Sequence, residues 1–199
     1  MPTEGKTQID IPQITPAFSQ NNIPVGLSCS NKYAPYLSVC LKSIVEHASD
    51  DYNYDIIIFE NSIINRYKEI LKNFIERKNI SLRFVNPDPV FKGCTLSFPD
   101  HYGAECFFRL TSPLILNKYD KIVYIDIDTA LQSDVKNLYN LDISGYPLGA
   151  CRDLKMSALL NSNDGGWTEY CTKTLGLEKL ENYINSGIIV FNVKEFREK

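Results

Sequence analysis

The sequence lacks both an excess of basic residues and a long apolar run. Lys and Arg number 21 against 24 Asp and Glu, so the formal net charge is −3. This balance gives no bulk attraction for a phosphate backbone, and we expect no nucleic acid partner. No apolar run approaches the ~18 residues that span a bilayer, and no apolar signal segment follows the polar first ten residues. We therefore expect no transmembrane segment and a cytoplasmic protein, with peripheral attachment to the inner face of the membrane left open.

Paired cysteines and clustered histidines are also missing. The two histidines are far apart in the chain and do not suggest a zinc site. No CxxC pair occurs, and several cysteines lie in apolar patterns, where a free thiol packs as a small hydrophobic group. We interpret all six as reduced core thiols of a cytoplasmic protein: Cys29, Cys40, Cys94, Cys106, Cys151 and Cys171.

Glycine-rich phosphate loops are absent as well. The chain has no GxxxxGK[ST] motif, and no GxGxxG follows its first apolar strand. A nucleotide bound by this acidic chain would therefore need a metal ion between its phosphates and the protein.

The chain has enough apolar residues for one domain. Its 199 residues are 44% hydrophobic, and a chain of this length removes roughly 70% of its unfolded surface from water. Residues 1–22 contain Pro12, Pro16 and many polar side chains without a sustained period. We interpret 1–22 as a leader or linker that need not be ordered, and 23–199 as the folded domain.

Apolar strands alternate with amphipathic helices along this domain. Strands are predicted at 23–29, 54–59, 81–85, 121–127, 146–151 and 184–193. Helices are predicted from Pro35, after a cap at Asn61 or Ser62, over 104–116 and over 167–175. Strands without polar alternation are buried on both faces. The pattern therefore predicts an α/β fold, a mostly parallel sheet with helices on both faces.

The acidic pair Asp126 and Asp128 follows the most apolar of these strands. In an extended segment two side chains separated by one residue project to the same side. Ligands of open α/β sheets bind outside the carboxyl ends of the strands. Two adjacent carboxylates repel each other, and a divalent cation removes that conflict. The alternative is a simple turn at the strand exit, and the motif alone gives the two interpretations even weight.

Five segments resemble glycosyltransferase family 8, which includes bacterial lipopolysaccharide galactosyl- and glucosyltransferases and glycogenin. They are VGLSCSNKYAPYLSVCLKSI, the Phe107–Leu110 segment, KIVYIDIDTALQSDVKNLYNLDI, Leu148–Asp153 and Tyr183–Val193. Together they cover about residues 23–197 in the family's order. The resemblance implies a Rossmann-like, nucleotide-sugar-binding domain of the GT-A type.

The resemblance also implies roles for individual residues. Asp126 and Asp128 match the aspartates that coordinate manganese, for which magnesium is a substitute, and Asp126 with Ile127 also contacts the nucleoside. Arg109 matches the arginine that steadies the donor sugar and diphosphate, for which a guanidinium fork is suited. The remaining matches are the uridine-holding turn and the positions around the donor hydroxyls: Ser28, Cys29, Ser30, Asn31, Lys32 and Tyr33 in the turn, and Asp153, Asn185 and Ser186 at the sugar.

Two aromatic or basic residues outside these segments remain candidates. The resemblance brings His101 near the acceptor cleft, although a single loop histidine is more often only solvated. Trp167 follows Gly165 and Gly166 and could present a sugar-stacking face, but core packing is the more frequent role of such a residue.

The activity implied is retaining transfer of glucose or galactose from UDP-glucose or UDP-galactose to a saccharide or glycolipid acceptor, as in lipopolysaccharide biosynthesis. The turn departs from the family in carrying Ser30, Asn31 and Lys32, and the family's third metal ligand, a C-terminal histidine, has no counterpart here. We therefore expect a domain without the family's C-terminal segment. The alternatives are a nucleotide-sugar-binding domain without turnover and a metal-dependent nucleotidyltransferase of similar architecture.

Overall fold

The computed structural model describes residues 11–97, 103–162, 165–180 and 183–198. Six strands form one sheet in the order β3-β2-β1-β4-β6-β5. Five of them run in the same direction, and β6 is antiparallel to both of its neighbours. The strands are β1 Asn22–Ser28, β2 Asn53–Phe59, β3 Ile80–Val85, β4 Lys121–Ile125, β5 Leu148–Arg152 and β6 Ile184–Asn192. The predicted α/β, mostly parallel architecture is confirmed.

Packing layers cover both faces of the sheet. Ile56 and Ile58 of β2 belong to one apolar cluster, with Leu37 and Cys40 of the first helix. The intervening Ile57 belongs to a second cluster on the other face, as the two-residue period of a strand requires. The described helices are α1 Ala34–His47, α2 Asn65–Asn73, α3 Glu105–Phe108, α4 Ser112–Ile115, α5 Lys136–Tyr139, α6 Leu154–Asn161, α7 Gly165–Glu169 and α8 Val193–Glu198.

The described residues before β1 lie against the domain. The Ile14 amide donates to the carbonyl of Ile115 at 3.1 Å, and the Arg83 guanidinium donates to the carbonyl of Thr15 at 2.9 Å. The side chains of Ile11 and Ile14 pack against the second cluster. The domain boundary at residue 22 stays a prediction.

The start of α2 differs from the predicted cap. The residue before its first turn is Ile64, not Asn61 or Ser62, and no side chain caps the helix. The Asn61 amide donates to Asp88 at 3.0 Å, and the Ser62 hydroxyl accepts from the Asn31 amide at 3.2 Å. These tertiary bonds take the side chains that the local pattern would have used for capping.

The cysteines are only partly core residues. All six are free thiols, but only Cys29, Cys40 and Cys171 are buried, whereas Cys94 and Cys151 are exposed. The expectation of six core thiols is therefore wrong for the exposed pair. Among the described residues no helix is long and apolar enough to cross a bilayer.

The described residues between β5 and β6 include α6 and α7, and a hydrogen bond joins the two ends of this segment. The Asp153 amide donates to the carbonyl of Tyr183 at 2.9 Å, and the Asp153 carboxylate caps α6 by accepting from the Met156 amide at 2.8 Å.

Trp167 of α7 is 43% exposed, so its expected core packing is wrong. A π-helical turn, Tyr170–Thr174, follows α7.

Candidate functional site

The candidate site lies at the edge where β1 and β4 end and β6 begins. β1 and β4 are adjacent and parallel, so the residues after Ser28 and after Ile125 leave the sheet at the same edge. β6 runs antiparallel to β4 with Ile125 opposite Ile188. Its first residues therefore reach the same edge, next to Asp126.

The acidic pair occupies a tight turn and not the strand itself. β4 ends at Ile125 rather than at the predicted Ile127. The Thr129 amide donates to the carbonyl of Asp126 at 3.2 Å, which closes the turn. Asp126 and Asp128 nevertheless line the same cavity, so the turn and the shared acidic site occur together rather than as alternatives.

This cavity has a volume of about 310 Å³, within the range of small-molecule sites. Three carboxylates, those of Glu105, Asp126 and Asp128, line it together with one guanidinium, that of Arg109. A diphosphate entering this cavity alone would meet more negative than positive charge. The other lining residues are Ser28, Cys29, Ser30, Tyr33, Gly103, Cys106, Tyr124 and Ile127.

Asp126 is the most constrained acidic group of the cavity. The Tyr124 hydroxyl donates to its Oδ1 at 3.0 Å. Arg109 contacts both oxygens, Nη2 at 3.1 Å from Oδ1 and Nη1 at 3.4 Å from Oδ2. Burial raises the pKa of Asp126, against the lowering effects of Arg109 and Tyr124, and the charge of Asp128 raises it further. A group that is costly to hold as an anion gains from a nearby cation.

Arg109 joins this carboxylate to the start of β6. Its Nη1 donates to the Ser186 hydroxyl at 3.0 Å, and its Nε donates to the carbonyl of Cys106 at 3.0 Å. The guanidinium carbon lies 5.0 Å from the centre of the Tyr124 ring, within cation–π range. The predicted arginine is thus held in place by Asp126 and Ser186, two other predicted site residues.

The predicted turn after β1 contributes some of its residues to the cavity. Ser28, Cys29, Ser30 and Tyr33 line it. Tyr33 also lines a neighbouring apolar cleft of about 360 Å³, together with Ile127 and Asp128. The Tyr33 ring is 39% exposed and therefore accessible to a planar ligand. Burial, with smaller contributions from Glu105 and Glu60, raises the pKa of the Cys29 thiol to about 12, which makes it a poor nucleophile.

Asn31 and Lys32 are not among the residues that line this cavity. The Asn31 side-chain oxygen accepts from the Ile64 amide at 3.1 Å, which ties the turn to the start of α2. The Lys32 ammonium lies 5.1 Å from the centre of the Tyr33 ring. Their predicted nucleotide contacts stay predictions.

The three predicted sugar residues form a chain of contacts beside the cavity. Nδ2 of Asn185 donates to Oδ2 of Asp153 at 3.3 Å, and Ser186 contacts Arg109. Asn185 and Ser186 are exposed. The structure therefore brings Asp153, Asn185 and Ser186 together with Arg109 and Asp126, whereas His101 lies outside the described residues.

Sequence reasoning missed Tyr124 as a site residue. Treated there as strand interior, it is fully buried, yet its hydroxyl reaches Asp126. Its position in β4, two residues before Asp126, was the available signal. Glu105 and Cys106 were also missed, because the start of α3 reaches the cavity only through tertiary packing.

The side chains present fit a hard divalent cation at Asp126 and Asp128. Carboxylate oxygens are the ligands that Mg²⁺ and Mn²⁺ prefer, and the partly buried, mutually repelling pair supplies them. Within the described ranges, no three side chains of His, Cys, Asp or Glu lie close enough together to hold a metal ion. The pair would therefore supply two ligands, and water or ligand phosphates would complete the coordination.

Comparisons with known proteins point to one family. The profile of Glycosyl transferase family 8 matches residues 24–199. A provisionally named glycosyltransferase of Haemophilus influenzae is 30% identical over 86% of this chain and 49% of its own length. Glycosyltransferase 8 domain-containing protein 2 of Homo sapiens is 23% identical over 99% of this chain and 60% of its own.

Solved structures agree on the fold. The apo WbbM bifunctional glycosyltransferase superimposes with a TM-score of 0.83 at 31% identity, over 94% of this chain and 34% of its own. The galactosyltransferase LgtC, solved with donor and acceptor sugar analogs, gives a TM-score of 0.69 at 24% identity, over 89% of this chain and 60% of its own. The chain thus spans about half the length of the curated relatives it matches.

Proposed function

The chain belongs to glycosyltransferase family 8, and from that premise we propose that it transfers a hexose, glucose or galactose, from a UDP-sugar to a saccharide or glycolipid acceptor. The transfer retains the anomeric configuration and uses a divalent metal ion, manganese or magnesium. The cavity that both Asp126 and Asp128 line, with Arg109 and Tyr33 at its wall, is the observation that carries this proposal.

The charges of the cavity support a metal-dependent donor. Among the described residues that line the cavity, three carboxylates stand against one guanidinium, a balance that disfavours a diphosphate without a cation. A divalent cation bound by Asp126 and Asp128 would offset this repulsion and act as a Lewis acid on the departing UDP. Arg109 would add a fork of donors for phosphate or sugar oxygens.

The remaining roles follow the two sides of the cavity. On the β1 side, the exposed Tyr33 ring would stack on uracil, and the backbone from Ser28 to Lys32, with that of Ile127, would hold the nucleoside. On the β6 side, the exposed Asn185 and Ser186, with Asp153, would contact the donor hydroxyls. The six free thiols support a reducing, cytoplasmic compartment for this reaction.

Calorimetry of UDP binding with and without Mn²⁺ tests the proposal. We expect binding that strengthens at least tenfold when Mn²⁺ is added, because the metal removes the charge conflict, and Asp128→Asn should abolish most of that gain. If the UDP affinity of the wild type does not change when Mn²⁺ is added, the assignment of Asp126 and Asp128 as metal ligands is wrong.

A second candidate is a UDP-sugar-binding domain without turnover. The absence of a third protein ligand near the pair, across the portions of the chain that the structure describes, favours it. Release of UDP from UDP-glucose or UDP-galactose separates the two candidates. Metal-dependent UDP binding without any such release, in the presence of saccharide acceptors, would support the binding domain.

A further inference from the structure

Gly187, the fourth residue of β6, lies directly against Asp126. Its carbonyl accepts the Asp126 amide at 2.7 Å, and its own amide donates to the side-chain oxygen of Asn185 at 2.9 Å. Both backbone groups of Gly187 are therefore engaged, one by the acidic residue of the site and the other by its neighbour in β6.

A Cβ at Gly187 would press on the site, so that Asp126 or Asn185 would have to shift by a few tenths of an ångström. A Cβ built there lies 3.2 Å from Oδ2 of Asp126 and 3.0 Å from Oδ1 of Asn185, where ordinary contacts begin at 3.4 Å. The described glycines with positive φ are Gly93, Gly145 and Gly176, so Gly187 is not required by a left-handed backbone. Space for the Asp126 carboxylate is what the missing Cβ provides.

The carboxylate has little room to move away from such a Cβ. Tyr124 and Arg109 hold Oδ1 at 3.0 and 3.1 Å, and Arg109 also contacts Oδ2 at 3.4 Å. A shift forced from the Gly187 side would have to break or stretch these bonds. The position of the two oxygens is therefore set from two sides, by the donors of Tyr124 and Arg109 on one side and by Gly187 on the other.

Asn185 in turn holds Gly187 in place. Its amide group is used at both ends, since Oδ1 accepts from Gly187 and Nδ2 donates to Asp153. We propose that Gly187 and Asn185 are positioning residues, which fix the Asp126 carboxylate in the orientation that binds the divalent cation. This inference rests on the proposed metal-dependent function and adds how β6 determines the metal affinity.

Gly187→Ala tests the inference, with Mn²⁺ binding in the presence of UDP measured by electron paramagnetic resonance. We expect the Mn²⁺ affinity to fall about tenfold, the size that outer partners of metal ligands usually show. The midpoint of thermal unfolding should change little, because the entropy that alanine removes from the unfolded chain offsets the cost of the shifted contacts.

Gly149→Ala is the matched control. Gly149 lies in β5, and its added Cβ would meet only the Cγ2 methyl of Ile143, at 3.0 Å, and no residue of the candidate site. We expect wild-type Mn²⁺ affinity. An equal loss in both variants would show a general effect of strand substitution and would overturn the inference.

Asn185→Ala separates positioning from sugar contact. UDP lacks the donor hexose, so an Asn185 that only binds the hexose hydroxyls would leave Mn²⁺ affinity with UDP unchanged. A positioning Asn185 should lower it, by less than Gly187→Ala does. This variant also carries the test if Gly187→Ala does not fold.

The outcomes distinguish this inference from the proposed function. If the wild type binds Mn²⁺ with UDP and Gly187→Ala and Asn185→Ala bind it equally well, the positioning roles are wrong and the metal site stands. If the wild type itself does not bind Mn²⁺, the proposed function fails and the inference with it.

Discussion

Two groups of the same three side chains, an aspartate, an arginine and a tyrosine, occur on this sheet with opposite consequences. Asp55 contacts Arg83 and Tyr119 and also accepts the Ala17 amide at 3.2 Å. Asp126 contacts Arg109 and Tyr124. The Asp55 side chain is 0% exposed, whereas that of Asp126 is 32% exposed.

Because of this difference in exposure, a ligand can reach the Asp126 group but not the Asp55 carboxylate. In the closed group, that of Asp55, every partner bonds to one buried carboxylate, and these bonds join the segment before β1 to the sheet. In the open group, that of Asp126, some of the roughly four lone-pair positions of the carboxylate face a cavity that Asp128 also lines. Under the proposed function the same three side-chain types serve folding in one place and ligand binding in the other, and each variant below tests that distinction.

The largest expected effect is on stability, from Asp55→Ala. Removing one partner of a buried ion pair leaves the other charge uncompensated and costs about 3–5 kcal/mol. Urea denaturation followed by circular dichroism measures this loss. A cost below about 1 kcal/mol would show that the closed group does not hold the fold.

Asp126→Asn should produce the reverse pattern. The amide keeps the size of the side chain but removes its charge, so we expect metal-dependent UDP affinity to fall about 100-fold. The free energy of unfolding should change by less than about 1 kcal/mol, because the group faces solvent. Calorimetry and urea denaturation on the same preparation check both values. A large loss of stability with intact binding would place Asp126 in the structural class.

Arg109→Met and Arg83→Met compare the two guanidinium groups. Removing the positive charge next to Asp126 should strengthen Mn²⁺ binding without nucleotide about threefold and weaken UDP-sugar binding. Arg83→Met should leave Mn²⁺ binding unchanged and lower stability. Spin-resonance titration of Mn²⁺ and urea denaturation measure the two effects, and weaker Mn²⁺ binding in Arg109→Met would contradict the charge argument.

The two tyrosines give the last comparison. Tyr119→Phe removes a hydroxyl bonded to the buried Asp55 carboxylate, and such bonds to charged groups contribute about 1.5–3 kcal/mol. Tyr124→Phe should cost less stability, because the partly exposed Asp126 carboxylate can accept a bond from water in place of the buried hydroxyl, and it should lower Mn²⁺ affinity with UDP modestly. Equal stability losses in the two variants would remove the distinction between closed and open groups.

Much of the fold could be predicted, because strands that are buried on both faces, such as β1, β2 and β4, consist mainly of apolar residues. The antiparallel direction of β6 could not, since an apolar run does not encode strand direction. The predicted cap of α2 was wrong because the side chains of Asn61 and Ser62 form hydrogen bonds with residues outside the helix.

The site was predictable only where local sequence carries the chemistry. Asp126 and Asp128 are recognisable from their spacing, and Arg109 and Tyr33 from the family resemblance. The contact of Gly187 with Asp126 depends on the register that sets Ile125 opposite Ile188. That register is a property of the folded sheet, which no single segment specifies.

The central claim is that Asp126 and Asp128 together bind a cation that carries the donor diphosphate. Crystals grown with UDP and Mn²⁺, with anomalous data collected at the manganese edge, test it directly. The account predicts one anomalous peak about 2.0–2.3 Å from oxygens of both carboxylates and in contact with the diphosphate. Ordered UDP in the cavity without a peak at these carboxylates would contradict it.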